Sequence, residues 1–462
     1  MNIKKSYKIT FGLLSAMLLY TNNVTAQNGI NSPYSRYGFG IQSDRSTSFN
    51  KSMSGVAQGY RDGQIINAQN PASYSAVDSM TALFDFGLTL QNGNYKMGKL
   101  QKNARNSSID YAALHFRAAK NVGVAFGILP YTNIGYSFTT TQENITGNEN
   151  NVTTSYTFTG DGGLHQVFLG TGWKPIKQLS FGFNASYLYG EYTHTMTNSF
   201  SDASFSSLIR GYNANISTYM LDFGLQYIQP LSAKDKITLG FTYGLGHDVD
   251  NTAKRYTETF NNTTSSIEAI SGDTLRNAFQ LPHSYTVGVV FNHGDKWSVG
   301  ADFQLEKWSK CRLPYQNDQS DEYTSKTGSF NDKMRVAVGG SYSPVGSSLA
   351  AVHSGAKLFK RSTYKFGAYY SRLYANPSPN SNLNSKPTEY GLSAGITMPI
   401  HNDNLWNRSP KIHIGVQWAH TDIPYMSNNS NQPTKQTLKE NYLRLNIGLT
   451  VSDRWFYKWK VK

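Results

Sequence analysis

From Thr81 to Val451 apolar and polar residues alternate in short runs, the period of two expected of strands that show one face to an apolar medium. Ala82, Phe84, Phe86, Leu88 and Leu90 share one face of the first run, with Thr81, Asp85, Gly87, Thr89 and Gln91 on the other. A second run covers 108–118 and a third 122–140, the latter interrupted by Leu129-Pro130-Tyr131. Proline has no N–H for a ladder, so Pro130 predicts either a bulge, kink or opened pair within one strand, or a loop between two short ones. The alternation continues over 164–173, 179–197, 221–227, 237–245, 285–291, 299–305, 334–338, 364–370, 392–398, 412–418 and 443–451. Fourteen runs is an even number, which leaves both ends of a closed antiparallel barrel on the periplasmic side. Asn251 to Ala278, long, polar and rich in Thr and Asn, reads as an extracellular loop.

The stretch from Asn31 to Asp78 is different. It holds Tyr34, Tyr37, Phe39 and Asn70-Pro71-Ala72-Ser73-Tyr74 among so many Gly, Ser and Asn residues that neither period survives. A compact, irregular, aromatic segment ahead of a long β-structure predicts a plug inside the barrel. The face opposite the apolar one fits this: Gly182, Gly224, Gly240, Gly244, Gly288, Gly300, Gly339, Gly367, Gly395, Gly415 and Gly448 fall on it. Glycine within a strand marks close approach by another backbone or relieves strain where the sheet curves, and both readings stay open. The same phase puts Asp85, Asp222, Asp302 and Glu306 inside with Arg335, Lys365, Arg444 and His413, where they need partners among themselves or on Arg36, Arg45, Arg61 and Asp62 of the plug.

Composition changes the picture in one respect. A mean hydropathy of −0.47 suggests a soluble protein, yet a transmembrane β-barrel has the same low average because only one face is greasy. The 31 Tyr, 24 Phe, 7 Trp and 40 Gly against a single cysteine suit such a barrel better than the alternative, a large soluble β-sandwich or propeller. Lys4, Lys5 and Lys8, the apolar run from Ile9 to Tyr20 and Val24-Thr25-Ala26 match a secretory signal peptide. The expected organisation is a signal peptide at 1–26, a plug at 27–79, a barrel at 80–457 and a tail at 458–462. The formal charge is +14, or +11 without the three leader lysines, and has no long basic cluster. It points to outer-membrane lipid and lipopolysaccharide rather than nucleic acid. Cys311 has no partner for an internal disulfide, and no Gly-x-Ser-x-Gly, HExxH, Walker or CxxC pattern is present, so neither an enzyme, a metal site nor a cofactor is expected.

Ser52-Met53-Ser54-Gly55-Val56-Ala57, Asn70-Pro71-Ala72, Leu281-Pro282, Trp297, Asp302, Trp308-Ser309 and the Leu129-Pro130-Tyr131 break together resemble the FadL/TodX (OMPP1) family of outer-membrane transporters, in a form similar to those of Bacteroidota. The resemblance implies a monomeric all-β transmembrane barrel of about 14 strands with an N-terminal hatch. It also implies uptake of fatty-acid-like or aromatic hydrophobic small molecules and lateral release beside strand three. It makes Phe39, Ile41, Phe49 and Tyr74 candidates for hatch contacts or simply for the hatch core, and Pro71 a stiffener of its turn. A scaffold barrel similar to PorV, with protein partners at the extracellular loops and no transported solute, is the alternative. Trp455 to Lys462 runs past the aromatic residue on which such barrels usually end.

Overall fold

The structure, a computed structural model, describes residues 31–142, 152–316, 323–345, 358–377, 386–400, 410–427 and 434–454. The signal-peptide and C-terminal-tail expectations lie outside these residues. Fourteen strands form the wall: β1 (Thr81–Met97), β2 (Leu100–Ala119), β3 (Val122–Gln142), β4 (Thr154–Trp173), β5 (Leu179–Phe200), β6 (Ser207–Pro230), β7 (Asp235–Gly244), β8 (Ser284–His293), β9 (Trp297–Glu306), β10 (Lys333–Tyr342), β11 (Thr363–Arg372), β12 (Thr388–Pro399), β13 (Lys411–Ser427) and β14 (Thr434–Arg454). Each pairs antiparallel with the next, and β1 pairs with β14 from Thr81↔Arg454 to Met97↔Leu438, which closes the barrel. Closure removes the sheet edges that an open sheet would present to lipid.

The period of two sorts the side chains. Phe84, Leu90, Phe126, Val167, Leu169, Phe223, Leu239, Val287, Val299, Val338, Leu392 and Val416 stand exposed on the outside, while Asp85, Thr89, Gln226, Thr242, Asp302, Lys365 and His413 are buried within. A belt this apolar on a polar interior is the surface of a barrel solvated by hydrocarbon. Several strands run well past the alternating part. β6 begins at Ser207 rather than near Leu221, and β1, β2, β4, β13 and β14 also extend at the rim opposite the chain ends. Above the membrane the outer face meets water instead of lipid, so outward positions there need not be apolar and the alternation fades from the sequence. For the same reason the expected loop Asn251–Ala278 contains a hairpin, Ala253–Asn261 with Ser266–Leu275, that pairs with the upper part of β6.

The wall is incomplete at one place. β1 and β2 stay paired up to Met97↔Leu100, and β3 and β4 up to Gln142↔Thr154, but β2 and β3 pair only between Ala112↔Ile128 and Ala119↔Val122. Above Ile128 the two strands part, and the β3–β4 register slips between Pro130 and Thr132.

Candidate functional site

Residues 31–80 pack inside the lumen as short turns of helix, Pro33–Arg36, Ser48–Lys51 and Pro71–Ala76, and one two-residue strand, Ile41–Gln42. The Asn70 side chain accepts from Ala72 N at 3.1 Å, and Pro71 opens the turn where its missing N–H costs nothing. Asn70 also donates to Gln58 O at 2.9 Å, tying the two halves of the segment together.

Space for this backbone comes from the wall. A Cβ on Gly182 would lie 2.1 Å from Pro71 C, one on Gly240 2.0 Å from Gln58 O, one on Gly339 2.4 Å from Met53 O and one on Gly123 1.9 Å from Tyr74 O. Gly395 and Gly415 face Ser52, and Gly448 faces Ser48. Gly244 differs: its neighbours are Ser284 and Asp222 of the wall itself.

The inward charges hold the segment. Asp302 accepts from Ala57 N at 2.7 Å and Gln58 N at 3.0 Å, Arg335 donates to Ser54 O at 2.9 Å, and Lys365 lies 4.1 Å from the Phe49 ring centre. Arg45 pairs with Asp222 at 3.7 Å, and Gln42 donates to Glu306 at 2.8 Å. Asp85 accepts from Tyr111 at 3.1 Å and Arg444 donates to Gln91 at 2.8 Å, so these two bind the wall rather than the segment. Arg36 stacks 3.9 Å from the Phe158 ring centre. Arg61 reaches Ala72 O, Gln226 and Ser75, and burial lowers its pKa to about 10. Burial alone would raise the Asp44 carboxyl, but Arg335 and Lys51 hold it below its ordinary value. Asp78 is raised by burial and then by Asp62. Both backbone groups donate to the one oxygen Oδ2, so Asp302→Asn, which puts an uncharged amide oxygen there, is expected to weaken both bonds and to cost about 1–2 kcal/mol in denaturant unfolding of the folded barrel.

Two further wall carboxylates were not legible in the sequence. Asp110 accepts a 2.7 Å bond from Lys51, both side chains being less than a tenth exposed, and Glu440 accepts from Ser32 at 2.5 Å. Asp110 is inside because of a bulge: Tyr111 pairs with Gly87 and Ile109 with Leu88, which leaves Asp110 unmatched and turns it inward beside Tyr111.

The residues singled out from the sequence occupy four places. Phe39, wholly buried, stacks on Phe279 at 5.8 Å and meets Tyr192 and Trp308 edge-on at 6.3 and 6.1 Å, in a cluster that also includes Tyr131, Phe330 and Tyr374. Phe49 lies lower, against Tyr60, His413 and Lys365. Tyr74 packs with Leu129, Tyr111 and Phe168, and its carbonyl meets His115 Nε2 at 2.9 Å. Ile41 is at the seam: Ile41↔Asn133 and Gln42↔Thr132 pair antiparallel with β3 where β2 has left it, and Ser43 N donates to Tyr131 O at 2.9 Å. Gly40, at φ +86°, brings the chain there; a Cβ would lie 2.4 Å from Ile134 Cγ1 and 2.5 Å from Asn133 O.

Between the segment and β6–β10 lies a cleft of about 100 Å³, and its lining includes Asp44, Arg45, Asp222, Asp302, Glu306, Lys333 and Arg335. It is charged, not greasy. Among the described residues no group of three His, Cys, Asp or Glu side chains is placed to hold a metal ion.

A family model described as BamG matches residues 3–462. The chain belongs to the BamG family. No curated protein matches it. Among solved structures, this BamG-family chain is similar to the toluene transporter TodX of P. putida, at 13% identity and TM-score 0.58 over 89% of this chain and 99% of that one. A Pseudomonas aeruginosa FadL homologue matches at 12% identity and TM-score 0.57, over 91% and 100% of the two chains. The Ralstonia pickettii toluene transporter TbuX matches at 14% identity and TM-score 0.54, over 89% and 98%. The BamG-family chain therefore has the fold of these FadL-type barrels.

Proposed function

We propose that this barrel, a Bacteroidota-type relative of the FadL/TodX (OMPP1) group, passes hydrophobic compounds from the cell exterior sideways into the outer membrane, with residues 27–79 as a movable hatch. The observation that carries the reading is the seam: β2 and β3 separate above Ile128, and the gap is stopped by Ile41–Gln42 of the hatch. A solute of the long-chain fatty acid or aromatic hydrocarbon type gains free energy by avoiding water throughout, so a side exit into lipid serves it better than an aqueous pore. Leu129, Pro130 and Tyr131 form the kink at the exit, Phe39, Ile41, Phe49 and Tyr74 the hatch contacts, and Asn70-Pro71-Ala72 the turn that seats the hatch in the wall. Unlatching Ile41–Gln42 from β3 opens the path.

The test is a reversible lock. Gln42→Cys with Thr132→Cys, in a Cys311→Ser background, joins partners that face each other in register. Oxidation is expected to stop uptake of a labelled fatty acid or toluene by cells, and reduction to restore it. Unchanged uptake in the oxidised protein would rule out the side exit.

A second reading, a scaffold that binds proteins without moving a solute, draws on a different observation. The aromatic residues around Phe39 fill the space above the hatch, and the remaining cleft is lined with charge. This reading expects native mass spectrometry of the purified monomer to show no apolar ligand and a stoichiometric protein partner held at the extended rim.

A further inference from the structure

The extended ribbon of β14, β1 and β2 carries an unbalanced positive charge just above the apolar belt. From Gln91 to Ile109 there is no Asp or Glu, but Lys96, Lys99, Lys102 and Arg105 are present, and all four are exposed. Register adds a fifth: Lys96 lies directly opposite Lys439, which is also exposed. Like charges facing each other across a ladder are destabilising unless an anion lies between them. Two carboxylates are near. Glu440 is buried on the inner face, on Ser32 and Tyr442, and Asp422, opposite Lys439 in register, is 3.3 Å from His420.

The side-chain phase fixes direction and height. Lys439 shares the outward face with the exposed Leu443, and Arg105 with Ile109, which is 70% exposed. Each of these two cations is four residues beyond its lipid-facing neighbour, about 13 Å along the strand and about 9 Å along the membrane normal at a tilt near 45°, and Lys96 lies beside Lys439 as its partner in register. The headgroup layer is roughly 5–8 Å deep, so the cations stand at its outer edge. This is the rim opposite the chain ends, which carries the long connections.

We propose that the outward face of this ribbon, through Lys96, Arg105 and Lys439, is a docking surface for the phosphate groups of phosphorylated glycolipids of the lipid A type in the outer leaflet. The phosphates neutralise the facing lysines, while the acyl chains lie on Leu443, Leu90 and Ile109 below. The ribbon is one lip of the seam, so a glycolipid seated here also screens the seam from the membrane. The surface does not depend on whether a solute passes.

The experiment uses the full-length protein in a neutral detergent, titrated with diphosphorylated lipid A and with its dephosphorylated form, with binding read by native mass spectrometry. The variant K96Q/R105Q/K439Q is compared with K177Q/K236Q/K296Q, which removes three exposed cations from the opposite rim. The expected result is a loss of at least about tenfold in affinity for diphosphorylated lipid A in the first variant alone, with weak binding of the dephosphorylated form by every protein. Heat-modifiable migration in gels confirms that both variants are folded. Equal loss in the two variants would show a bulk charge effect and overturn the proposal. So would equal binding of the dephosphorylated lipid, or displacement by millimolar inorganic phosphate, which marks a site for an adventitious ion only.

Discussion

Gly182→Ala combined with Gly240→Ala is expected to unseat the lumenal segment while leaving the barrel closed. At both positions the added methyl would meet main chain, Pro71 C at 2.1 Å and Gln58 O at 2.0 Å, so no side chain can rotate away. Overpacking of this kind costs typically about 1–3 kcal/mol per site, and contact with backbone belongs at the upper end. The two sites grip different turns, one at Pro71 and the other at Gln58, which Asn70 joins, so the segment has no rigid-body shift that relieves both. Limited trypsin digestion provides the readout, since Lys51 is buried and Arg45 and Arg61 are half-buried while the segment is docked. The double variant is expected to be cut there at least about tenfold faster than wild type, with the barrel still migrating as a folded band. Gly272→Ala, where the nearest atom lies 3.3 Å away, is the control and is expected to behave as wild type. Equal resistance of the double variant and wild type would mean that these glycines serve sheet curvature and not the close approach of a second backbone.

The barrel was legible wherever the membrane imposes a rule. Between lipid and lumen each residue has only two environments, so Phe84, Asp85 and Phe86 or Val287, Gly288 and Val289 sort by period alone, and all fourteen runs correspond to strands of the wall. Where the rule stops, so does the reading. Above the belt the outer face of β6 meets water while Tyr212 and Ala214 pack inward, so Ser207 to Ala214, with no lipid-facing apolar residues, looks like a loop although it is a strand paired with Ala253–Phe260. Asp110 failed for another reason. A one-residue bulge reverses the phase of β2, and no feature of Ser107-Ser108-Ile109-Asp110-Tyr111 marks where the extra residue lies. The charges selected by phase alone, Asp222, Asp302, Arg335 and Lys365, do reach the lumenal segment, because a buried charge must find a partner and the segment is what fills the lumen. Arg444 and Asp85 find theirs on the wall, a choice that depends on neighbours far apart in sequence.

Lys51→Met is expected to be the most damaging single change in the lumen, costing about 3–5 kcal/mol, because it leaves the Asp110 carboxylate buried without its cation. Thr89 and Ser108 donate to the same carboxylate at 2.5 and 3.1 Å, which keeps the acid in place but does not cancel its charge. Asp110→Leu should cost a similar amount by stranding the ammonium. The combination Lys51→Met with Asp110→Leu removes both charges, and on the general behaviour of buried pairs it should recover most of the loss, so the two single costs are strongly non-additive. Denaturant unfolding of the four proteins measures this coupling; additive costs would mean that the 2.7 Å contact contributes nothing as a pair. The position of the pair gives the measurement a second use. Lys51 ends the short helix Ser48–Lys51, and Asp110 lies on β2 just beyond Ala112, where that strand leaves β3, so the bond ties the lumenal segment to one lip of the seam while Ile41–Gln42 ties it to the other. If the segment opens the seam by moving, the single variants should also raise trypsin cleavage at Arg45 and speed uptake of a labelled hydrophobic solute, and the double variant should return both toward wild type. Loss of stability with unchanged cleavage would mean that the pair serves the wall alone and that the lumenal segment is held by its glycine contacts and Asp302.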